Sequence, residues 1–239
     1  MKTFSTMMIM VAILVISSCK NATEKKPEVA AAPVVDTMPK TPPPPPAFEP
    51  FKIMSVTHTV KNFDAWVKSY DASDSLRVAA GLSPFAIARD MTTPNKIYVF
   101  NKVSDLQKAK DFGTSKALKA AMQKAGVTGM PTVGFSNVVR FEESPAEYKD
   151  RIRVGHKVKD FDAWLKAYDA EGKATRAANG LIDRAISRDI SDSSMVYVAF
   201  AVSDMAKAKA RIADPALKKL MTDAGVISAP VFSYYTVVK

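Results

Sequence analysis

The chain has 239 residues, 47% hydrophobic and 24% charged, the composition of an ordinary globular protein with enough apolar side chains for a real core. Its 34 Lys and Arg stand against 24 Asp and Glu, a formal charge of +10 that favours anionic surfaces or ligands. The basic residues lie on alanine-rich helical stretches such as KALKAAMQK (Lys116–Lys124) without interleaved aromatics, which argues against a nucleic-acid stripe. The single cysteine, Cys19, excludes an intrachain disulfide.

Lys2 is followed by ten unbroken apolar residues, Met7 to Ile16. Ten helical residues rise only ~15 Å, half a bilayer core, so the run reads as a signal-peptide segment and not a membrane span. Ile16-Ser17-Ser18-Cys19 resembles the bacterial lipobox, in which the cysteine is acylated before cleavage. That resemblance implies residues 1–19 as a lipoprotein signal, Cys19 as the lipidation site, and Lys20 as consistent with outer-membrane delivery facing the periplasm. Residues 20–50 then hold nine prolines, Pro42–Pro46 in one run, and few large apolar side chains. Such a stretch cannot bury enough surface to fold and reads as a tether, reaching roughly 100 Å when extended.

The rest is an internal duplication, expected as two domains at 51–140 and 150–239. HTVKNFDAWVKSYD (His58–Asp71) returns as HKVKDFDAWLKAYD (His156–Asp169), identical at ten of fourteen positions, and both histidines and both tryptophans of the chain lie in these copies. Residues 77–139 align with 176–238 at twenty-six of 63 identities. In each copy the first strand alternates, with Met54, Val56, His58 and Val60 on one face and Ile152, Val154, His156 and Val158 on its counterpart. A helix opens at Asn62 or Asp160, good N-cap types, with a stripe of Phe63, Trp66, Val67 and Tyr70 or Phe161, Trp164, Leu165 and Tyr168. One helix is expected to run on toward Gly81 or Gly180. Strands at 85–89 and 97–101, or 184–188 and 196–200, follow. The second helical region starts at Asp105 or Asp204 and breaks, because Asp214-Pro215 is a cap followed by a first-turn proline. A last strand is expected after Pro131 or Pro230.

This β-α-β-β-α-β order is the ferredoxin-like arrangement, an antiparallel four-stranded sheet with its helices on one face. The bare face needs cover. The expected fold is therefore α+β, two tandem ferredoxin-like βαββαβ domains packing sheet to sheet. The repeated H-x-V-K-[DN]-F-D-A-W, R-x-A-x-G-L, S-D-x-x-K-A-K and A-G-V motifs resemble those of the dimeric α/β-barrel superfamily, near the antibiotic-biosynthesis-monooxygenase-like domains. The resemblance covers about residue 53 to the end and implies an intrachain barrel that members elsewhere build from two chains. It also implies a range of uses, from cofactor-free oxygenases and haem-active enzymes to simple binders.

His58 and His156 titrate near neutral pH when unperturbed and are the candidate acid/base or ligand-orienting groups. The competing reading is a strand-end histidine satisfied by a carbonyl or a carboxylate. Trp66, Tyr70, Trp164 and Tyr168 are either core or an aromatic wall for a planar ligand. Arg89 and Arg188, at strand ends, either bind an anionic group or pair with the adjacent Asp90 and Asp189; Arg77 and Arg176 close the first helical region. The spacing offers no zinc set, nucleophile elbow, P-loop or dinucleotide fingerprint, and no cofactor is expected, with haem the one considered. The expectation is a lipid-anchored bacterial envelope protein that binds a small, planar or anionic ligand and no nucleic acid. The alternatives are a cofactor-free or haem-type monooxygenase-like oxidoreductase and a structural protein with a filled barrel.

Overall fold

Period-two alternation and capping chemistry organise the described residues, 48–143 and 147–239 of the computed structural model. The lipobox and all but the last three residues of the proline-rich stretch lie outside them. The first repeat comprises β1 (Phe51–Val60), α1 (Phe63–Ala72), α2 (Asp74–Ala79), β2 (Leu82–Asp90), β3 (Lys96–Val103), α3 (Leu106–Gly113), α4 (Lys116–Lys124) and β4 (Val127–Phe141). The second comprises β5 (Asp150–Lys157), α5 (Phe161–Glu171), α6 (Lys173–Ala178), β6 (Leu181–Asp189), β7 (Met195–Val202), α7 (Met205–Ala213), α8 (Pro215–Asp223) and β8 (Val231–Val237).

The expected N-caps are present: Asn62 Oδ1 accepts from the Ala65 amide at 2.9 Å and Asp160 Oδ1 from Ala163 at 2.7 Å, each stabilising its helix by about 1 kcal/mol. The first helical region is not one helix. In the first repeat it breaks at Ser73, whose hydroxyl donates back to the Ser69 carbonyl, and in the second at Gly172, where φ is 84°. Gly81 and Gly180 end the second pieces instead. At Gly180 a Cβ would lie 2.3 Å from the Asp204 carbonyl oxygen, so only glycine allows this close approach. The second helical region breaks in both repeats, restarting at the Ser115 and Asp214 caps.

The last strand of the first repeat differs from expectation. It begins at Val127, before Pro131, and its register against β1 shifts between Thr57 and Thr59. A bulge holds Gly129 and Pro131, which tolerates a residue with no amide hydrogen to give the ladder. In the second repeat β8 starts after Pro230, leaving a lone Val158–Val226 bridge where β4 has its extra length.

The repeats run β4-β1-β3-β2 and β8-β5-β7-β6, and the eight strands form one closed barrel. Closure comes from edge pairing, Asp90 opposite Tyr235 in β2–β8 and Ser136 opposite Asp189 in β4–β6. Joining edges removes the unpaired N–H and C=O rows that each half would expose alone. The fold is thus a tandem ferredoxin-like α/β barrel within one chain. Ala88, Tyr98 and Tyr235 cluster across the two halves on one sheet face. On the other face each sheet packs under its own helices, around Met54, Val56, Ile97, Val99 and Trp66 in the first repeat and Ile152, Val154, Val196, Val198 and Trp164 in the second.

Candidate functional site

Alternation along β1 and β5 sends His58 and His156 to the helix-covered face, between apolar neighbours. The helical stripe descends on them. Trp66 lies 5.3 Å from the His58 ring and 5.2 Å from Tyr70, and Trp164 lies 5.6 Å from His156 and 5.5 Å from Tyr168, centroid to centroid. Each repeat therefore stacks a His–Trp–Tyr ladder under its first helix. His58 is 6% exposed and His156 3%, and burial lowers both pKa values from 6.5 to about 4. Both rings are neutral at pH 7. None of their four nitrogens has a hydrogen-bond partner among the described residues. A buried polar group left without a partner costs about 1–3 kcal/mol, so each ladder carries an unmet hydrogen bond.

Beside each ladder is a cavity. That of the first repeat, about 70 Å³, is lined by His58, Trp66, Tyr70, Arg77, Asn101 and Met122 among others. Its counterpart, about 90 Å³, is lined by His156, Trp164, Tyr168, Arg176, Arg211 and Met221 among others. Both are mostly apolar. The outer walls are α4 and α8, whose Leu118 and Met122 or Leu217 and Met221 face the cavities. Neither helix contains a fully buried residue. Elements held by few buried contacts open at lower cost than the core.

The inner ends of the two cavities differ. In the first, the Tyr70 hydroxyl donates to Asn101 at 3.0 Å, and the Arg77 guanidinium lies 3.7 Å over the Tyr70 ring while donating to the Tyr70 carbonyl and to Asp74. In the second, Phe200 stands at the Asn101 position and the Tyr168 hydroxyl donates to Asp183 at 2.9 Å. Arg176 donates to both Asp183 oxygens at 2.7 Å and to Glu171 at 3.3 Å, and Glu171 also accepts from Arg211 at 2.7 Å. Burial raises the pKa of Tyr70 and, further, of Tyr168, so both hydroxyls are neutral donors.

The structure brings together His58, Trp66 and Tyr70, and likewise His156, Trp164 and Tyr168. The aromatic rings of the stripe belong to the core and also line the cavities. Neither histidine is satisfied by a carbonyl or carboxylate. Arg89 and Arg188 do not reach the cavities. Arg89 donates to the Pro94 carbonyl at 2.8 Å and lies over Phe63; Arg188 donates to the Ser193 carbonyl at 3.0 Å and lies over Phe161. They do not pair with Asp90 and Asp189 either, because consecutive strand residues point to opposite faces. Burial pushes the Asp90 carboxyl up, but hydrogen bonds from Tyr98, Thr92 and Thr93 outweigh it and hold the group well below the usual carboxylate range. The cavity arginines are Arg77 and Arg176. Asn101, Glu171, Asp183 and Arg211 lie at positions that do not recur between the repeats, and the sequence pattern did not single them out. Among the described residues no three His, Cys, Asp or Glu side chains converge as a metal set.

No protein-family model matches the sequence. No curated protein matches it either. Solved structures do. A protein named as a candidate monooxygenase from Fusobacterium nucleatum subsp. nucleatum ATCC 25586 is 12% identical over 79% of this chain and 93% of its own, with a TM-score of 0.51. An anthrone oxidase-like protein is 13% identical over 79% and 92%, TM-score 0.50. A candidate chlorite dismutase is 13% identical over 79% and 95%, TM-score 0.50. At such identities the likeness is one of fold.

Proposed function

We propose that this chain is a lipid-anchored envelope protein that binds a small planar ligand bearing a hydroxyl in each of its two helix-covered cavities. The observation that carries the reading is the neutral, unpartnered imidazole at each apolar cavity: a ligand hydroxyl would donate to it and supply the missing bond. The Trp and Tyr rings give flat apolar walls, and α4 and α8 would move outward to admit a ring.

The second reading is oxygenation of such a ligand, favoured by the names of two of the structural neighbours. It would use the histidine as a base toward the ligand hydroxyl. A proton moving from a phenolic group of pKa ~10 to an imidazole of about 4 climbs six units, about 8 kcal/mol. Binding through the neutral ring requires no such step, and we rank it first.

Phenol and toluene, nearly the same size, test the reading by calorimetric titration. Phenol should saturate two sites per chain and bind about tenfold more tightly than toluene, the value of one buried hydrogen bond. The His58→Leu/His156→Leu variant should lose that preference. Equal binding of the two probes by the unaltered chain would remove the histidines from ligand recognition.

The anchor is proposed from the lipobox alone. Cys19→Ser should move the protein from the membrane to the soluble fraction on cell fractionation, since one acylated residue supplies the membrane affinity. Continued membrane association of that variant would contradict it.

A further inference from the structure

The repeats differ most at their buried arginines, and the difference leaves one guanidinium short of a partner. Arg176 is held by two carboxylates, Asp183 and Glu171, whose side chains are almost as buried as its own. At the Asp183 position the first repeat has Pro84. Arg77 is only 6% exposed, yet its one carboxylate partner, Asp74, is 55% exposed at the surface. The Arg77 Nε is buried with no partner at all. Where Asp183 fills the space beside Tyr168, with no room for a water, the first repeat has a cleft of about 390 Å³ lined by Tyr70, Asp71, Arg77, Pro84, Phe85 and Lys239, with Asp74 also at its wall. Lys239 and Asp71 balance each other across it at 2.6 Å. Arg77 is the buried guanidinium whose one carboxylate partner is exposed and whose Nε has no acceptor.

We propose that this cleft is a binding site for a small organic carboxylate. The carboxylate takes the place that Asp183 holds in the second repeat and accepts from the Arg77 Nε, and the Tyr70 hydroxyl turns to it from Asn101. A planar guanidinium edge matches the geometry of a carboxylate, and Phe85 offers an apolar surface to the rest of the ligand. The second repeat carries its own carboxylate and needs none from outside. The fold thus keeps one arginine satisfied internally and leaves its twin open to a ligand.

The site shares Tyr70 and Arg77 with the cavity under the helices, but Pro84, Phe85 and Lys239 belong to the cleft alone. Pro84→Asp therefore tests it at a residue that lines the cleft alone. The second repeat holds an aspartate at the same bulge, between Asp183 and Ala185, so the backbone accepts the change. With the full chain, benzoate should bind saturably at one site and benzyl alcohol should not compete for it. In Pro84→Asp, benzoate affinity should fall at least about tenfold, the loss expected for one charged hydrogen bond, with phenol binding unchanged. In the unaltered chain the ¹⁵Nε resonance of Arg77 should shift as benzoate is added. Benzoate binding that survives Pro84→Asp, or a benzoate titration that moves no arginine Nε signal, would overturn the proposal. Loss of phenol binding with benzoate binding intact would count against the histidine cavities only. Should Pro84→Asp not fold, Arg77→Met carries the same test, with benzoate binding abolished as the expected result and retained as the contrary one.

Discussion

Lowering the pH from 7 to 5 should remove about 4 kcal/mol of folding stability through two side chains. His58 and His156 have pKa values near 4 in the folded chain against 6.5 unfolded. Between these values the unfolded state takes up protons that the folded state refuses, so stability falls as pH falls through 6.5 and levels out below 4. Linkage over 2.5 units gives about 3 kcal/mol for each ring at the lower limit and about 2 kcal/mol for each at pH 5. Urea unfolding at the two pH values measures it. The aspartates with lowered pKa values, such as Asp169 held by Arg140, contribute in a different window. Their stabilisation is present above 3.8 and is lost only as pH drops below it. The His58→Leu/His156→Leu variant should therefore be nearly flat from pH 7 to 5. A variant that keeps the full slope would place the acid sensitivity elsewhere.

Asp183→Ala should be the most damaging single change in the second repeat. It strips Arg176 of both its short ion-pair bonds and Tyr168 of its acceptor, leaving a guanidinium that is 3% exposed with Glu171 as its one carboxylate, beside the Tyr168 carbonyl. Removing one partner of a buried pair costs about 3–5 kcal/mol, and the retained Glu171 contact sets the expectation at the lower end, about 3 kcal/mol. For a folded part of this size that is roughly 6–12 °C in melting temperature. Arg77→Met should cost only about 1 kcal/mol, because its ion pair with Asp74 is half in water. The sharper test is the double change Arg176→Met/Asp183→Ala, which removes the stranded charge and should recover most of the loss by scanning calorimetry. A double variant no more stable than Asp183→Ala would mean that packing of the aspartate, and not its charge, is what the site needs.

The duplication made most of the fold legible. Met54, Val56, His58 and Val60 fixed a strand face, Asn62 and Asp160 fixed helix starts, and the same order occurring twice implied two halves needing mutual cover. What pattern alone could not convey was how the edges meet, because β2–β8 and β4–β6 pairing depends on register between distant segments. The break at Ser73 has no glycine or proline to mark it, whereas Gly172 was a visible mark of the second break. At the site, the histidine, tryptophan and tyrosine were legible because they recur at fixed spacing. The arginines were misjudged: Arg89 and Arg188 look functional by recurring beside an aspartate, yet a strand sends neighbours to opposite faces. The residues that set the two cavities apart, Asn101 against Phe200 and Pro84 against Asp183, do not recur. A reading built on repetition passes over them.

Two neutral imidazoles await a donor. The chain has only two histidines, so ¹⁵N histidine labelling gives a spectrum of two rings, assigned with His58→Leu. Phenol should shift one ring nitrogen of each histidine by the amount typical of an imidazole accepting a hydrogen bond, with toluene leaving both unmoved. Phenol that saturates its sites while all four nitrogens keep their resonances would contradict the account.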